Sequence, residues 1–347
     1  MKPDSLIVDT LERILEDYCT PLVVNAVESG EWPSELWQSL ESAGLPLTWV
    51  DEAHAGVGAA LIDGFEVAKV AGRYAAPVPL VETLLAGWVL EQADLQVPPG
   101  PLSVLPVRTQ DALSLESGHV LSGKAHRVPF AGVAGHLVMV TENGVGLVDC
   151  AGVEICSGVG LSGERNDTVS FDQIPVTVWS PGESLLSATQ LMGATLRAQQ
   201  MSGALERVLS LSMQYAGERH AFGRPIAKFQ AVQHNLAVLA GEMAAAGAAS
   251  GAAVRTVCQC GANAQKSLLA VASAKVRTGE AAGNGAAIAH QVHGAIGYTH
   301  EFSLQQYTRR LLSWRDDFGS ENYWAMTLGN VVADGGAEAL WPALTSI

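Results

Sequence analysis

Apolar residues recur at helical spacing through the first hundred positions. Leu6, Leu11, Ile14 and Leu15 form one such set, and Leu36, Trp37 and Leu40 a second. Gly44, following Ser42 and Ala43, predicts a glycine-terminated helix there. Residues 61–73 and 80–91 predict two further helices, separated by Pro77 and Pro79. Pro98, Pro99, Gly100 and Pro101 then mark a boundary. Beyond it the period changes to short β-rich runs at 102–107, 119–121, 137–141, 145–148 and 168–171, bounded by Gly, Asn or Asp. Such runs suit an antiparallel barrel or sandwich, and a barrel is the expectation here. Long helical patterns return at 191–216, 229–257, 263–289 and 303–314, and another follows Gly319. Their Ala and Gly content allows close helix–helix approach. The order predicts a mainly α chain with a central β domain, of the α+β class. Its parts are an N-terminal helical domain over 1–97, a middle β domain over 98–182, and a C-terminal four-helix bundle over 183–347.

Composition narrows the class. Hydrophobic residues make up 48% and charged ones 16%, which excludes a disordered chain. The first residues show no basic segment followed by an apolar one, so a cytoplasmic protein is expected. The weakly polar run 236–254 is mostly Ala and Gly and carries Glu242. A bilayer span needs about 20 strongly apolar residues, so the run predicts a packed helix and no membrane partner. Five cysteines without zinc spacing predict reduced thiols.

A formal charge of −15 argues against nucleic acid as a partner. That charge is uneven: residues 1–200 hold 9 basic and 25 acidic side chains, whereas 201–310 hold 10 basic and 5 acidic. A basic segment in an acidic chain is either a solvated helix face or a receiver of phosphates.

Two motifs are decoys. Gly158 to Gly163 fits G-x-G-x-x-G, but Glu164 to Phe171 reads as turn and strand, whereas a dinucleotide site needs a helix next. Of His290, His293 and His300 only the first two share a helical face, and no nearby acidic triad completes a metal shell. Nucleophile-elbow and phosphate-loop motifs are absent, so hydrolase and NTPase readings lack local support.

The informative block runs from Tyr215 to Gln233. A long helix ends near Gly217, Pro225 turns the chain, and a second helix begins near Phe229. Arg219 and Arg224 flank that corner, where the new helix has unpaired N–H groups. The corner is either an anion site or a capped hairpin with surface arginines. Further on, Gln291, Gly294 and Gly297 follow a helix, and glycines there let another molecule approach the backbone.

Together these blocks resemble the acyl-CoA dehydrogenase family. Arg219, Phe222, Gly223 and Gln230 match its R-x-x-F-G segment with a later Gln, and Gln291, Gly294 and Gly297 match Q-x-x-G-G-x-G, with Ala295 replacing one glycine. More loosely, 37–58 and 72–83 resemble the family's N-terminal domain, and 164–175 its last β-domain strand. The resemblance implies FAD held between subunits of a dimer, usually within a tetramer. Arg219 and Gln230 would contact the adenine-side phosphates. Gln291 and Gly294 would reach the neighbouring subunit's cofactor, and Phe222, Gly297 and Ser320 would complete the cofactor-binding set.

The implied reaction is α,β-desaturation of an acyl-CoA thioester, in fatty acid or steroid side-chain catabolism. Electrons then pass to an electron-transfer flavoprotein. A glutamate takes the α-proton in that reaction. In the family it precedes the Gly of E-G-T, where this chain has Phe318-Gly319-Ser320. The alternative base position falls at about Gly193, which has no side chain. Asp317 is the nearest substitute carboxylate, one residue early; Asp316 and Glu321 are weaker candidates. The family's flavin-contacting loop is reduced to about residues 106–110, and Lys124 to Pro129 lacks its Trp and hydroxyl.

These losses resemble the smaller subunit of heteromeric bacterial acyl-CoA dehydrogenases, in which a homologous chain carries the glutamate and the two chains share FAD. Three readings follow: an autonomous dehydrogenase, a non-catalytic subunit completing a partner's FAD site, and a flavin-free CoA-ester binding protein.

Overall fold

The computed structural model describes residues 3–105, 111–116, 119–336, 338 and 341–342. The chain divides into two compact units, Met1–Ala68 with Ala76–Gly193, and Lys69–Ala75 with Ala194–Ile347.

The first unit opens with α1 (Ser5–Tyr18), α2 (Pro21–Glu28), α3 (Ser34–Ser42), the first part of α4 (Leu61–Arg73) and α5 (Leu80–Gln92). Helix α3 stops as its sequence predicts: Ala43 is the C-cap and Gly44 takes φ 70°, a left-handed conformation natural to glycine. Helix α2 escaped the periodicity because it buries only Val24 and Val27, but Thr20 caps it and Pro21 starts it. Every residue of α5 from Leu80 to Leu90 is buried, so this helix is a central strut, apolar on all sides.

Eight strands follow: β1 (Leu102–Leu105), β2 (Ala112–Glu116), β3 (Val120–Pro129), β4 (His136–Thr141), β5 (Gly144–Asp149), β6 (Glu154–Cys156), β7 (Asn166–Pro175) and β8 (Val178–Pro181). They form two sheets, ordered β1-β4-β5-β8 and β2-β3-β7-β6. The expected barrel is therefore corrected. Closure requires each edge strand to bond on both sides, and among the described residues β1, β8, β2 and β6 each pair on one side only. The pair β1–β4 is also parallel rather than antiparallel. One apolar cluster, with Leu105, Leu137, Met139 and Val148 from one sheet and Leu121, Ala125, Val169 and Phe171 from the other, fills the space the sheets share.

The glycine-rich decoy connects β6 to β7. A Cβ on Gly158 would lie 2.3 Å from the Asn166 carbonyl oxygen, so that glycine serves close backbone packing. Strand β7 follows it, not a helix.

The second unit takes most of α6 (Leu186–Glu218), a small hairpin of β9 (His220–Ala221) and β10 (Arg224–Pro225), α7 (Gln230–Cys260), α8 (Gln265–His293), a 3-10 turn (Gly294–Tyr298), α9 (Leu304–Trp314) and α10 (Glu321–Gly335). Its core draws Met201, Leu205, Val208 and Leu211 from α6, Leu239 and Ala246 from α7, Ala281, Ala282 and Ala289 from α8, and Leu304, Tyr307, Leu311 and Trp314 from α9. Within this unit the end of α4 crosses α6 at two glycines. A Cβ on Gly72 would sit 1.9 Å from the Gln200 carbonyl oxygen, and one on Gly203 1.9 Å from that of Lys69. Lys69 and Arg73 close the same crossing by pairing with Glu206.

By length and composition, α7 is the one helix among the described residues long and apolar enough to cross a membrane. It buries Ala246, Ser250, Ala253, Val254 and Val257 along one side. It runs antiparallel to α8, with Leu239 against Gly285 and Glu242 against Arg277 and Asn284. That register carries the start of α7 to the level of the end of α8.

Candidate functional site

Where α6 ends, the chain makes a two-residue turn through Phe222 and Gly223, with Ala221 opposite Arg224 and His220 opposite Pro225. Both turn residues have positive φ, 51° and 78°, as a type I′ hairpin requires. Asparagine-glycine is the usual occupant. Phenylalanine in the left-handed region costs roughly 1–2 kcal/mol. Leaving its ring in water forgoes roughly another 1.5–3 kcal/mol of burial. Phe222 is nevertheless 95% exposed. Within the chain the one ring contact that Phe222 makes among the described residues is with Phe229, which does not cover it.

The surroundings are open and cationic. Arg219 is exposed, and its backbone is pinned by Arg219 N donating to Tyr215 O and Ile226 N donating to Arg219 O. Arg224 lies 4.3 Å over the Phe229 ring, and the Phe222 ring meets Phe229 edge-on. Helix α7 begins at Gln230 with no side-chain cap, which leaves its first N–H groups for another acceptor. Among the described residues, the side chains of Arg219, Gln230 and Gln291 have no hydrogen-bond or ion-pair partner.

The second block sits at the same end. Tyr215, one turn before Arg219, stacks on His293 with ring centroids 4.5 Å apart, which ties the ends of α6 and α8 together. Gln291 is exposed on the last turn of α8. Gly294 ends that helix at φ 65° with nothing within 4 Å of where a Cβ would stand. Gly297 is buried, and a Cβ there would crowd His293, Leu304 and His290 at 3.0–3.2 Å. Ala295 is not among the positive-φ residues, so the lost family glycine needs no glycine conformation here.

The other candidates lie far away. Asp317 carries its carboxylate to the buried Arg197, with Nε donating to Oδ2 at 3.0 Å, and Arg197 also donates to Gln200. Lys275, fully buried on α8, donates to the carbonyls of Trp314, Arg315 and Asp317. Burial pushes its ammonium down to about 8, with Asp317 opposing the shift. Phe318 takes positive φ, and its carbonyl accepts from the Trp324 indole at 3.0 Å. Ser320 caps α10 by accepting from Tyr323 N. Lys275 and Gln291 are sixteen residues apart on one helix, which places the Asp317 loop roughly 24 Å from the Gln291 end. Arg219, Phe222, Gln230, Gln291, Gly294 and Gly297 thus share one end of the unit, while Asp317 and Ser320 occupy the other.

Of the remaining sequence features, Lys124 to Pro129 lies in β3, with Arg127 at a bulge and φ 56°. Residues 106–110 fall outside the described residues. The Arg197–Asp317 pair, the Lys275 clamp and the Tyr215–His293 stack were not found from sequence. Their partners are 120, about 40 and 78 positions apart, and no local pattern signals them.

Residues 186–332 match the family described as acyl-CoA dehydrogenase, C-terminal domain. Acyl-CoA dehydrogenase IpdE2 of Mycobacterium tuberculosis is 28% identical over 306 residues, 87% of this chain and 88% of that one. The Tcur3481-Tcur3483 steroid ACAD is similar at 25% identity and TM-score 0.85, covering 95% and 98% of the two chains. The ChsE4-ChsE5 complex from Mycobacterium tuberculosis shares the fold at 22% identity and TM-score 0.87, over 96% of this chain and 98% of that one. Residues 186–332 thus carry an acyl-CoA dehydrogenase C-terminal domain, and the chain is similar along most of its length to an acyl-CoA dehydrogenase.

Proposed function

We propose that this chain is the FAD-sharing subunit of a heteromeric dehydrogenase that desaturates an acyl-CoA thioester at its α,β bond. A homologous partner supplies the proton-abstracting glutamate. One observation carries the reading: the base position holds Phe318, and the adjacent Asp317 carboxylate is committed to a buried arginine. A general base needs its lone pair free toward the substrate.

The fit to FAD rests on the other end of the unit. Unpaired cationic and amide side chains, an uncapped helix start and the open space at Gly294 suit a phosphate-bearing group approaching from outside. There Arg219 and the first N–H groups of α7 would take phosphate charge. Gln230 and Gln291 would orient polar edges, and Phe222 would cover apolar surface. Bound flavin supplies the acceptor for the β-hydride. Gly297 keeps its segment tight against α9, and the packed helices of the second unit are the rigid mount.

Assembly as a dimer of dimers, cytoplasmic location and electron transfer to an electron-transfer flavoprotein belong to the same reading. A steroid-derived acyl group is the substrate class it favours, supported by the similarity to a steroid ACAD and to a two-chain complex.

The test is co-expression with a homologue that carries the glutamate. A flavin band is expected in the copurified complex, along with acyl-CoA-dependent bleaching. In that complex Asp317→Asn is expected to lower the melting temperature, because it unpairs Arg197, yet to keep turnover per bound flavin, while changing the partner's glutamate to glutamine abolishes turnover without that loss of stability. A flavin-loaded, active chain without a partner, silenced by Asp317→Asn, would overturn the proposal.

Arg219→Ala gives a further expected result. A hydrogen bond to a charged group is worth about 1.5–3 kcal/mol, so flavin affinity should fall roughly 10- to 100-fold. The melting temperature of the apo chain should not move, because the side chain is exposed and unpaired. Equal flavin titrations for variant and wild type would refute the assignment of Arg219.

A further inference from the structure

We propose that His290 and His293 form an acid-sensitive latch that holds the segment 291–298 closed, so that this end of the chain loosens and gives up its cofactor as pH falls. The cofactor half rests on the flavin reading above, and the latch half stands on this geometry alone.

The two histidines lie on the last turn of α8, three residues apart, and flank Gln291. His293 is buried. Its ring stacks on Tyr215 with planes 19° apart and packs 5.0 Å from Phe302. Its Nδ1 lies 2.8 Å from the Ala289 carbonyl oxygen, a contact that requires the proton on Nδ1. In the neutral ring Nε2 is then bare, and it is buried with no partner among the described residues.

His290 repeats the arrangement on the other side of Gln291. It stacks on Tyr298 at 4.0 Å and 18°, and its Nε2 meets the Thr308 hydroxyl at 2.8 Å. Its Nδ1 is buried without a partner, on the side where Gly297 packs. Each imidazole has one engaged and one orphaned nitrogen. A second proton on His293, or on His290 when its Nε2 donates to the Thr308 hydroxyl, places an N–H⁺ where no acceptor waits among the described residues, at the cost of an unsatisfied buried donor.

The groups facing the pair come from every element packed on it. Helix α6 brings Tyr215, the 3-10 turn Tyr298, the following turn Phe302, and α9 Thr308. Among the described residues the charge acting on His290 is that of His293, and no carboxylate acts on either ring. Burial holds both imidazoles below the ordinary 6.5, reinforced at His290 by its neighbour and opposed at His293 by the Ala289 bond. The sign follows. Below about pH 6.5 the opened segment takes up protons that the closed one refuses, so the latch's stability is full above that value and is lost as pH falls through it. Each proton taken up on opening raises the opening constant about tenfold per pH unit.

The direct test is a histidine-resolved NMR titration of the full chain, joined to hydrogen exchange corrected for intrinsic rate. Two imidazoles titrating below the ordinary range are expected, with protection over 290–298 falling selectively between pH 7.5 and 5.5. His293→Phe keeps a ring against Tyr215 and removes one of the two titrations, so its loss of protection over that window should be shallower than that of the wild type. Both imidazoles titrating at or above the ordinary value, or equal loss of protection in wild type and variant, would overturn the latch.

In the copurified complex, flavin released on filtration should rise toward pH 5.5 and be restored toward the neutral level by His293→Phe. Release unchanged across that range while the segment opens would overturn the coupling to the cofactor. Opening at low pH in preparations that never hold flavin leaves the latch standing and removes the flavin reading.

Discussion

Replacing Gly203 with alanine is expected to prevent the second unit from reaching its folded state at ordinary temperature. The added Cβ would stand 1.9 Å from the Lys69 carbonyl oxygen, 2.9 Å from its carbon and 3.1 Å from Arg73 N, all backbone atoms. A flexible side chain could swing away, but a helix backbone moves only by displacing the helix. Overpacking costs about 1–3 kcal/mol where side chains can adjust, and this contact exceeds that range because they cannot. Gly72, whose Cβ would meet Gln200 O at the same 1.9 Å, doubles the constraint from the other side of the crossing. Circular dichroism melts and soluble yield measure the effect. Gly217→Ala, where nothing lies within 4 Å of the new methyl, is the matched control and should melt as wild type. A Gly203→Ala protein that melts with the control would show that the crossing is not close-packed.

The second large effect is expected from Arg197→Met. The Arg197 side chain is 3% exposed and that of Asp317 12%, so the substitution strands a nearly buried carboxylate. Breaking a buried pair from one side costs about 3–5 kcal/mol. For a unit of this size that is a fall of roughly 10 °C in melting temperature. The loss of the Gln200 bond and of the Trp314 contact, 5.9 Å from the guanidinium, adds to it. The double variant Arg197→Met, Asp317→Leu removes the stranded charge and should recover much of the loss. A single variant that melts with wild type would refute the pair as an anchor of the 315–320 loop.

Much of the architecture was legible because it is written locally. Helix periods marked α1, α3 to α10 and the end of α3 at Gly44, and the proline cluster marked the change to strands. The sheets were less legible because closure is decided by hydrogen bonds between distant segments. The edge strands β6 and β8 are short and mostly exposed, so they carry little hydrophobic signal. The candidate site divides in the same way. Arg219 to Gln230 and Gln291 to Gly297 are compact motifs whose residues lie within one turn or one corner, so spacing exposes them. Asp317 also stood out as a carboxylate near the expected base position, but its partner Arg197 is 120 residues upstream, on a helix where nothing in the pattern singles it out. A lone lysine among alanines, Lys275, reads as a surface charge until the fold shows it buried beneath three carbonyls.

The hairpin at Phe222 and Gly223 has an evolutionary consequence. With φ at 51°, asparagine or glycine at position 222 would relieve backbone strain and remove an exposed ring in one step, so drift under selection for folding alone runs away from phenylalanine. Under the subunit reading proposed above, keeping it places a stability–function trade-off on a single position. Relatives that no longer assemble at this end should be the ones that have given the ring up, with a sturdier turn as the mark of a discarded task.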